Sequence, residues 1–424
     1  MKINVAYDRL GEYNLSHTEL HDRFKNAPKW IEFDFDQVEE NTIQYFCSKN
    51  EKFVYNLGTI GGPKWWLCGG KGKLFDYFST ELIAQAQQGN AWIHIDQSME
   101  GFPLLEIQTP YNKTRIVDAF KMLHDNLETY NINPSQLIYS TSNLIERYNY
   151  HSWCREHNVS KKFHMVIIPF FACATQQSGF FDWVDRPDYR DDPHNVLLQD
   201  QINYKATHEI SLLNCLNRVQ RTHRAPFVAM LNYYNLIEGN IVSHDNLETH
   251  LKNTIKIYNW SDHPSFNDPN FSDLKSKLPL TYDMKDFSVN HAQNLNKEIY
   301  LKTYVSVITE TLYEDWKPTV FFSEKIFKPM RAHHPFILVC HQHGLHWLKR
   351  LGFKTFNQWW DESYDDESDP VKRMEKVCMV LKDLKKLSVH EWVWLYEQMS
   401  ETLTHNYNHL LNTKWFQGKY HDIF

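Results

Sequence analysis

The stretch Pro318-Thr-Val-Phe-Phe-Ser-Glu-Lys-Ile-Phe-Lys-Pro-Met-Arg-Ala-His-His-Pro-Phe-Ile-Leu-Val-Cys340 decides how the rest of the chain is read. Thr319 to Phe322 is a short β-branched and aromatic run, Ser323 is a good helix cap, and Phe336 to Cys340 is a second apolar run bounded by Pro335. The pattern predicts strand, short helix, strand. Pro329, one turn into the helix, has no N–H to give and should kink or shorten it. Glu324 and Lys325 fall where the first strand gives way to the helix, with Lys328 a turn further on. In an open α/β sheet, ligands gather outside the carboxyl ends of the strands. A helix N-terminus there offers free N–H groups and partial positive charge suited to phosphate. On a nucleotide sugar, Lys325 would take the diphosphate and Glu324 the ribose hydroxyls. The same residues also fit a capped helix with two solvated charges.

A second stretch upstream, Leu213-Asn-Cys-Leu-Asn-Arg-Val-Gln-Arg-Thr-His-Arg-Ala-Pro-Phe-Val-Ala-Met-Leu231, runs an apolar strand into Asn217, Arg218, Arg221, His223 and Arg224. A helical pattern through Phe227, Met230, Leu231 and Tyr234 follows. Together the two stretches resemble the nucleotide-sugar half of a GT-B glycosyltransferase. Over Ile210 to Phe356 the closer likeness is to the α-1,3-fucosyltransferase family, which has an arginine after the first strand of its second domain and a Thr-Glu-Lys strand-to-helix turn. Two departures stand out: Ser323 replaces the threonine and keeps the cap, and the family turn lacks a proline where this chain has Pro329. The resemblance implies two Rossmann-like α/β domains facing a cleft, and a nucleotide diphosphate sugar, of the GDP-fucose kind, as donor. It also implies donor contacts from Asn217, Arg218, Arg221, Arg224, Glu310, Ser323, Glu324, Lys325 and Lys328, and no bound metal or cofactor.

The length of 424 residues exceeds what one hydrophobic core usually supports, which points to two domains. Hydrophobic residues at 42% and aromatics at 15% place the chain among globular proteins. A net charge of −7 gives no global basic field of the kind nucleic-acid binders commonly show. The seven cysteines are odd in number and lack Cys-x-x-Cys spacing, so neither a disulfide framework nor a zinc site is indicated. The opening apolar stretch is too short for a signal peptide, and no run of about 18 apolar residues occurs. These features lead to the expectation of a cytoplasmic protein without a membrane span.

In chain order, the glycine- and lysine-rich stretch from Asn56 to Lys73 lacks the spacing of a phosphate loop and reads as a surface loop. Ala91-Trp-Ile-His-Ile-Asp96 reads as a strand running into Gln97-Ser-Met-Glu100-Gly. A carboxylate at such a strand end is placed to act as general base on an acceptor hydroxyl, which makes Glu100 and Asp96 the catalytic candidates; each also suits a turn that caps the next helix. Helical spacing from Tyr111 to Tyr130, a strand at Leu137 to Ser140, a helix from Leu144 to His157 and a strand from Val166 to Phe171 complete a βα rhythm that favours a parallel sheet. From Gln176 to Lys205 periodicity fades among aspartates and prolines.

The division expected is therefore 1–204 as an acceptor-side domain, 205–395 as a nucleotide-sugar domain and 396–424 as a helical tail. Tyr304 to Thr309 reads as a strand ending in Glu310, placed to meet donor ribose or base. His333, His334, His341, His343 and His346 do not converge convincingly on a metal, and one of them is suited to donor phosphate. Asp369 followed by Pro370 marks a helix start. A further helix begins near Ser388 and runs to Leu403 and on toward Leu411, long enough to cross back to the first domain. The function expected is sugar transfer from a nucleotide diphosphate sugar to a hydroxyl of a glycan or other acceptor. The alternatives are transfer onto modified nucleic-acid bases and a non-catalytic nucleotide-sugar or glycan binder.

Overall fold

The structure is a computed structural model, and it describes residues 2–7, 37–57, 74–98, 101, 103–105, 107–108, 115–116, 118–176, 196–217, 221–244, 260–266, 295–313 and 319–413. Two compact units divide the chain: Met1–Phe170 with Trp316–Phe321 and Lys414–Phe424, and Phe171–Asp315 with Phe322–Thr413.

The first unit opens with β1 (Lys2–Tyr7), β2 (Gln37–Thr42), α1 (Ile43–Lys49), β3 (Phe53–Asn56), α2 (Thr80–Gln87) and β4 (Ala91–Gln97). A two-residue hairpin, β5 (Ile107–Gln108) with β6 (Arg115–Ile116), precedes α3 (Ala119–Thr129), β7 (Leu137–Thr141), α4 (Glu146–Glu156) and β8 (His164–Ile167). The sheet order is β2-β1-β3-β4-β7-β8, with every neighbour parallel. Strands of such a sheet are covered on both faces, and β7 is buried along its whole length. Its core joins Ile93 and Ile95 of β4 to Tyr139 of β7, Phe120 of α3 and Trp153 of α4. Helix α3 starts where Asp118 accepts a hydrogen bond from Lys121 N at 2.9 Å, and it buries Phe120, Leu123 and Leu127 at helical spacing.

After α5 (Phe170–Gln176), the second unit runs α6 (Leu198–Thr207), β9 (Ser211–Asn217), α7 (Arg224–Tyr233), β10 (Ile241–His244), α8 (Lys297–Leu301) and β11 (Thr303–Thr309). It continues with α9 (Glu324–Arg331), β12 (Phe336–Val339), α10 (Gly344–Arg350), α11 (Pro370–Leu384), α12 (Val389–Gln398) and α13 (Ser400–Asn412). The order β10-β9-β11-β12 is again parallel throughout. Both units are therefore Rossmann-like α/β layers, as the βα rhythm predicts. In the second sheet the order reverses between β9 and β11, the position where open α/β sheets bind ligands.

Three expectations need correction. Thr319 to Phe322 is not a strand. Val320 N donates to Asn143 Oδ1 at 2.9 Å and Val320 O accepts from Leu144 N at 2.8 Å, while Thr319 Oγ1 donates to Gly101 O. Its apolar composition reflects burial without ladder pairing, and β12 pairs instead with β11, far upstream of the helix. Second, Val166 to Phe171 shortens to β8, because Pro169 follows and Phe170 begins a helix. Third, the helix expected from Ser388 onward divides at Met399 into α12 and α13, and α13 packs on α9 and α6 within the second unit.

Pro329 acts as expected on length. Helix α9 has eight residues and ends two beyond the proline. His333 takes φ +47°, with His333 N donating to Met330 O and His334 N to Pro329 O, a left-handed stop made without glycine.

Candidate functional site

The carboxyl ends of β9 and β11 meet through side chains. Asn217, the last residue of β9, is fully buried; its Oδ1 accepts from Thr309 Oγ1 and its backbone N donates to Ser243 Oγ at 3.0 Å. Arg224, the first residue of α7, is 1% exposed and aims Nη2 at Thr309 O, 2.7 Å away, and at Glu310 O, 3.5 Å away. A cation placed against the last carbonyls of a strand donates the hydrogen bonds that the sheet no longer supplies to them. Burial pushes the Arg224 pKa down to about 10, with Arg221 adding to the shift and the Glu310 and Glu324 carboxylates opposing it.

Glu310 carries the connection onward to α9. Its carboxylate accepts Ser323 N at 3.2 Å, Ser323 Oγ at 2.6 Å and Thr311 N at 3.1 Å, and the residue is fully buried. Burial raises the Glu310 pKa, against the lowering influence of the Lys325 ammonium and the Ser323 donors. Ser323 is the N-cap of α9, and its Oγ also receives Lys325 Nζ at 3.1 Å. Lys325 Nζ pairs with Glu324 Oε1 at 2.9 Å, the two side chains being 27% and 19% exposed. Burial works to raise the Glu324 pKa, but the Lys325 ammonium, its hydrogen bond and Lys328 outweigh it and hold the carboxyl below its usual range.

The two stretches singled out in the sequence therefore share one electrostatic neighbourhood. Among the described residues, Arg221, Arg224, Lys325 and Lys328 stand there against Glu310 and Glu324, four cations to two carboxylates. Of these, Arg221, Glu324, Lys325 and Lys328 retain exposure. Asn217, Arg224, Glu310 and Ser323 face inward and hold the others in place. Glu310 is not turned outward as its strand-end position alone would allow; two backbone N–H groups and a hydroxyl draw it in. Arg218 lies outside the described residues.

The histidines after α9 divide in the same way. His333 is buried with Nδ1 at 3.0 Å from Val196 O, and His334 is buried between Ser306 Oγ and Thr303 O. His343 is exposed and pairs with Asp366 at 3.1 Å. Buried His341 follows the end of β12, with its ring 6.1 Å from that of Phe322. Among the described residues, no group of three His, Cys, Asp or Glu side chains is placed to hold a metal ion, and no helix is long and apolar enough to cross a membrane.

In the first unit, Asp96 lies one residue before the end of β4, beside Ser140 of β7, and Glu100 lies outside the described residues. Asp96 Oδ1 accepts Ser140 Oγ at 2.7 Å and Ser98 N at 2.9 Å, and the residue is 7% exposed. The sequence reading missed Glu146. This fully buried carboxylate at the start of α4 accepts Leu104 N at 2.7 Å, Asn149 Nδ2 at 3.1 Å and Asn143 Nδ2. Burial raises its pKa to about 7, against the lowering effect of those three donors. The only sequence signal was an acidic residue three positions after Asn143, which is also how a surface helix begins.

No known family pattern matches the chain, and no curated protein matches it by sequence. Solved structures similar to it include the Candida albicans trehalose-6-phosphate phosphatase N-terminal domain, with 11% identity over 100% of this chain and 98% of that one and a TM-score of 0.41. An α,α-trehalose-phosphate synthase (UDP-forming) from Burkholderia vietnamiensis matches at 11% identity, with 94% and 79% of the two chains covered and a TM-score of 0.35. An α1,3-fucosyltransferase matches at 11% identity, with 99% and 92% covered and a TM-score of 0.32. At these scores the likeness decides nothing about activity or substrate.

Proposed function

We propose that the chain is a glycosyltransferase that moves a sugar from a nucleotide diphosphate sugar, of the GDP-fucose type, to a hydroxyl of a glycan or other acceptor. The observation that supports this reading most is the excess of cations at the switch point of the second sheet, where Arg221, Lys325 and Lys328 keep exposure beside the first turn of α9. A diphosphate supplies the missing negative charge, and the helix N-terminus adds its partial positive charge. As the sugar–phosphate bond breaks, charge grows on the leaving diphosphate, and cations already fixed in place stabilise that state without reorganising. Glu324 is then available to ribose hydroxyls once the diphosphate draws Lys325 away from it.

In this reading Asn217, Arg224, Glu310 and Ser323 are positioning residues, Arg218 adds a further donor-side cation, and Asp96 or Glu100 takes the proton of the acceptor hydroxyl. No metal or other cofactor enters the reaction. The described cysteines are free thiols, which fits a reducing compartment such as the cytoplasm.

The test is release of nucleoside diphosphate from GDP-fucose and UDP-glucose, with water as acceptor, by the full chain and by Lys325→Ala. Loss of one oriented charge of this kind costs about 10²–10³ in turnover. Lys325→Ala should lose that much while keeping the thermal midpoint within a degree or two, because its ammonium is partly exposed. Equal turnover in both proteins overturns the assignment. Binding of the nucleotide sugars without any release indicates a binding module.

A further inference from the structure

On the first unit, three side chains on one side of the sheet form a chain of hydrogen bonds. His94 and Asp96 alternate along β4, two residues apart, and Ser140 stands opposite Asp96 on β7. His94 Nε2 is 2.9 Å from Ser140 Oγ, which is 2.7 Å from Asp96 Oδ1. The single hydroxyl hydrogen of Ser140 has one place to go. Asp96 Oδ1 already accepts Ser98 N–H at 2.9 Å and so serves as an acceptor. The hydroxyl therefore donates to Oδ1, and its lone pair faces His94, which must carry its proton on Nε2. Burial lowers the His94 pKa against the pull of Asp96, so the ring is neutral at physiological pH. Oδ2, by contrast, takes no hydrogen bond from any described residue.

We infer that His94 and Ser140 are positioning residues for Asp96: they hold the carboxylate through Oδ1 and present Oδ2 as the base that deprotonates the acceptor. This rests on the glycosyltransferase reading above. In the step it serves, the acceptor O–H passes its proton to Asp96 Oδ2 while oxygen bonds to the anomeric carbon. The bond from that carbon to the diphosphate oxygen breaks, and its electron pair leaves with the diphosphate. Two donors on Oδ1 fix the rotation of the carboxylate, so Oδ2 keeps one direction along which it can take a proton. Among the described residues, the titratable groups that feel the charge of Asp96 are His94 on its own strand and Tyr139, on the other face of β7, which also feels Glu146 of α4.

The experiment measures kcat and KM separately for nucleoside diphosphate release from GDP-fucose or UDP-glucose, with water as acceptor, using the full chain. Ser140→Ala should lower kcat by about tenfold with KM within about twofold of wild type, because the carboxylate is no longer held in line with the acceptor. His94→Leu should follow it, whereas His94→Gln, which still offers an N–H, should stay within about threefold of wild type. A kcat unchanged in Ser140→Ala, with the wild type active, overturns this inference alone. A wild type that releases no nucleoside diphosphate overturns the glycosyltransferase reading, and this inference with it. Should Ser140→Ala fail to fold, ¹⁵N-histidine spectra of the wild type, assigned by comparison with His94→Gln, give the tautomer directly. An Nε2–H resonance for residue 94 is the expected result, and an Nδ1–H tautomer contradicts the chain of donors.

Discussion

Each unit sets a carboxylate in the first turn of a helix, and the two are held by opposite means. In the first, Glu146 takes three hydrogen bonds, all from neutral donors, and its pKa rises to about 7. In the second, Glu324 is half-buried, and Lys325 and Lys328 pull its pKa below the usual range. Burial alone therefore does not say whether a carboxylate is charged; the sign of its neighbours does. A carboxylate set among neutral donors suits proton chemistry or a structural tie. A region where cations outnumber carboxylates suits an anion.

The largest effect expected from breaking this contrast is in the second unit. Glu310→Ala leaves Ser323 N and Thr311 N without their acceptor and removes the carboxylate that opposes buried Arg224. Stability measured by urea unfolding should fall by about 3–5 kcal/mol. A change under 1 kcal/mol would mean that Arg224 is compensated by the strand-end carbonyls alone.

Next in size is the pH dependence of the first unit. The folded-state pKa of Glu146 lies above its unfolded value of 4.5, so its contribution is complete below pH 4.5 and disappears as pH rises through about 7. That difference amounts to about 3 kcal/mol. Glu146→Gln should flatten the fall in unfolding free energy between pH 4.5 and 8 relative to wild type. Parallel curves for the two proteins would show that Glu146 titrates normally. The Gln variant should also be less stable at acid pH, because its amide group meets the amide donors of Asn143 and Asn149.

The smallest change comes from the α9 cap. Ser323→Ala removes the hydroxyl that joins Glu310 to Lys325 and should cost about 1 kcal/mol, with Ser323→Thr recovering most of it. If Ser323→Ala also lowers nucleoside diphosphate release more than tenfold, the cap positions Lys325 as well as supporting the helix. Loss of stability without loss of turnover would confine Ser323 to the fold.

Much of the architecture was legible because it is written within four or five residues. Asp369 accepts Val371 N and Lys372 N with Pro370 in the first helical position, and Ser388 and Glu391 exchange side-chain-to-backbone hydrogen bonds. Ser323 caps α9, and β11 runs from Thr303 to Thr309 almost as its β-branched alternation predicts. Such signals are local in physics, so they are local in sequence.

Partnership between distant segments was not legible in that way. The sequence alone determined that Ser323 would start a helix carrying Glu324 and Lys325, and that an arginine-bearing strand end lay upstream. Only the tertiary structure decided that Thr319 to Phe322 would stay outside the sheet, and that Arg224 and Glu310 would turn inward. It also decided that Asn217 would meet Thr309, 92 residues away. A cap is satisfied by its own turn, whereas the burial and partner of a charge depend on which strands become neighbours, and strand pairing is a property of the whole sheet.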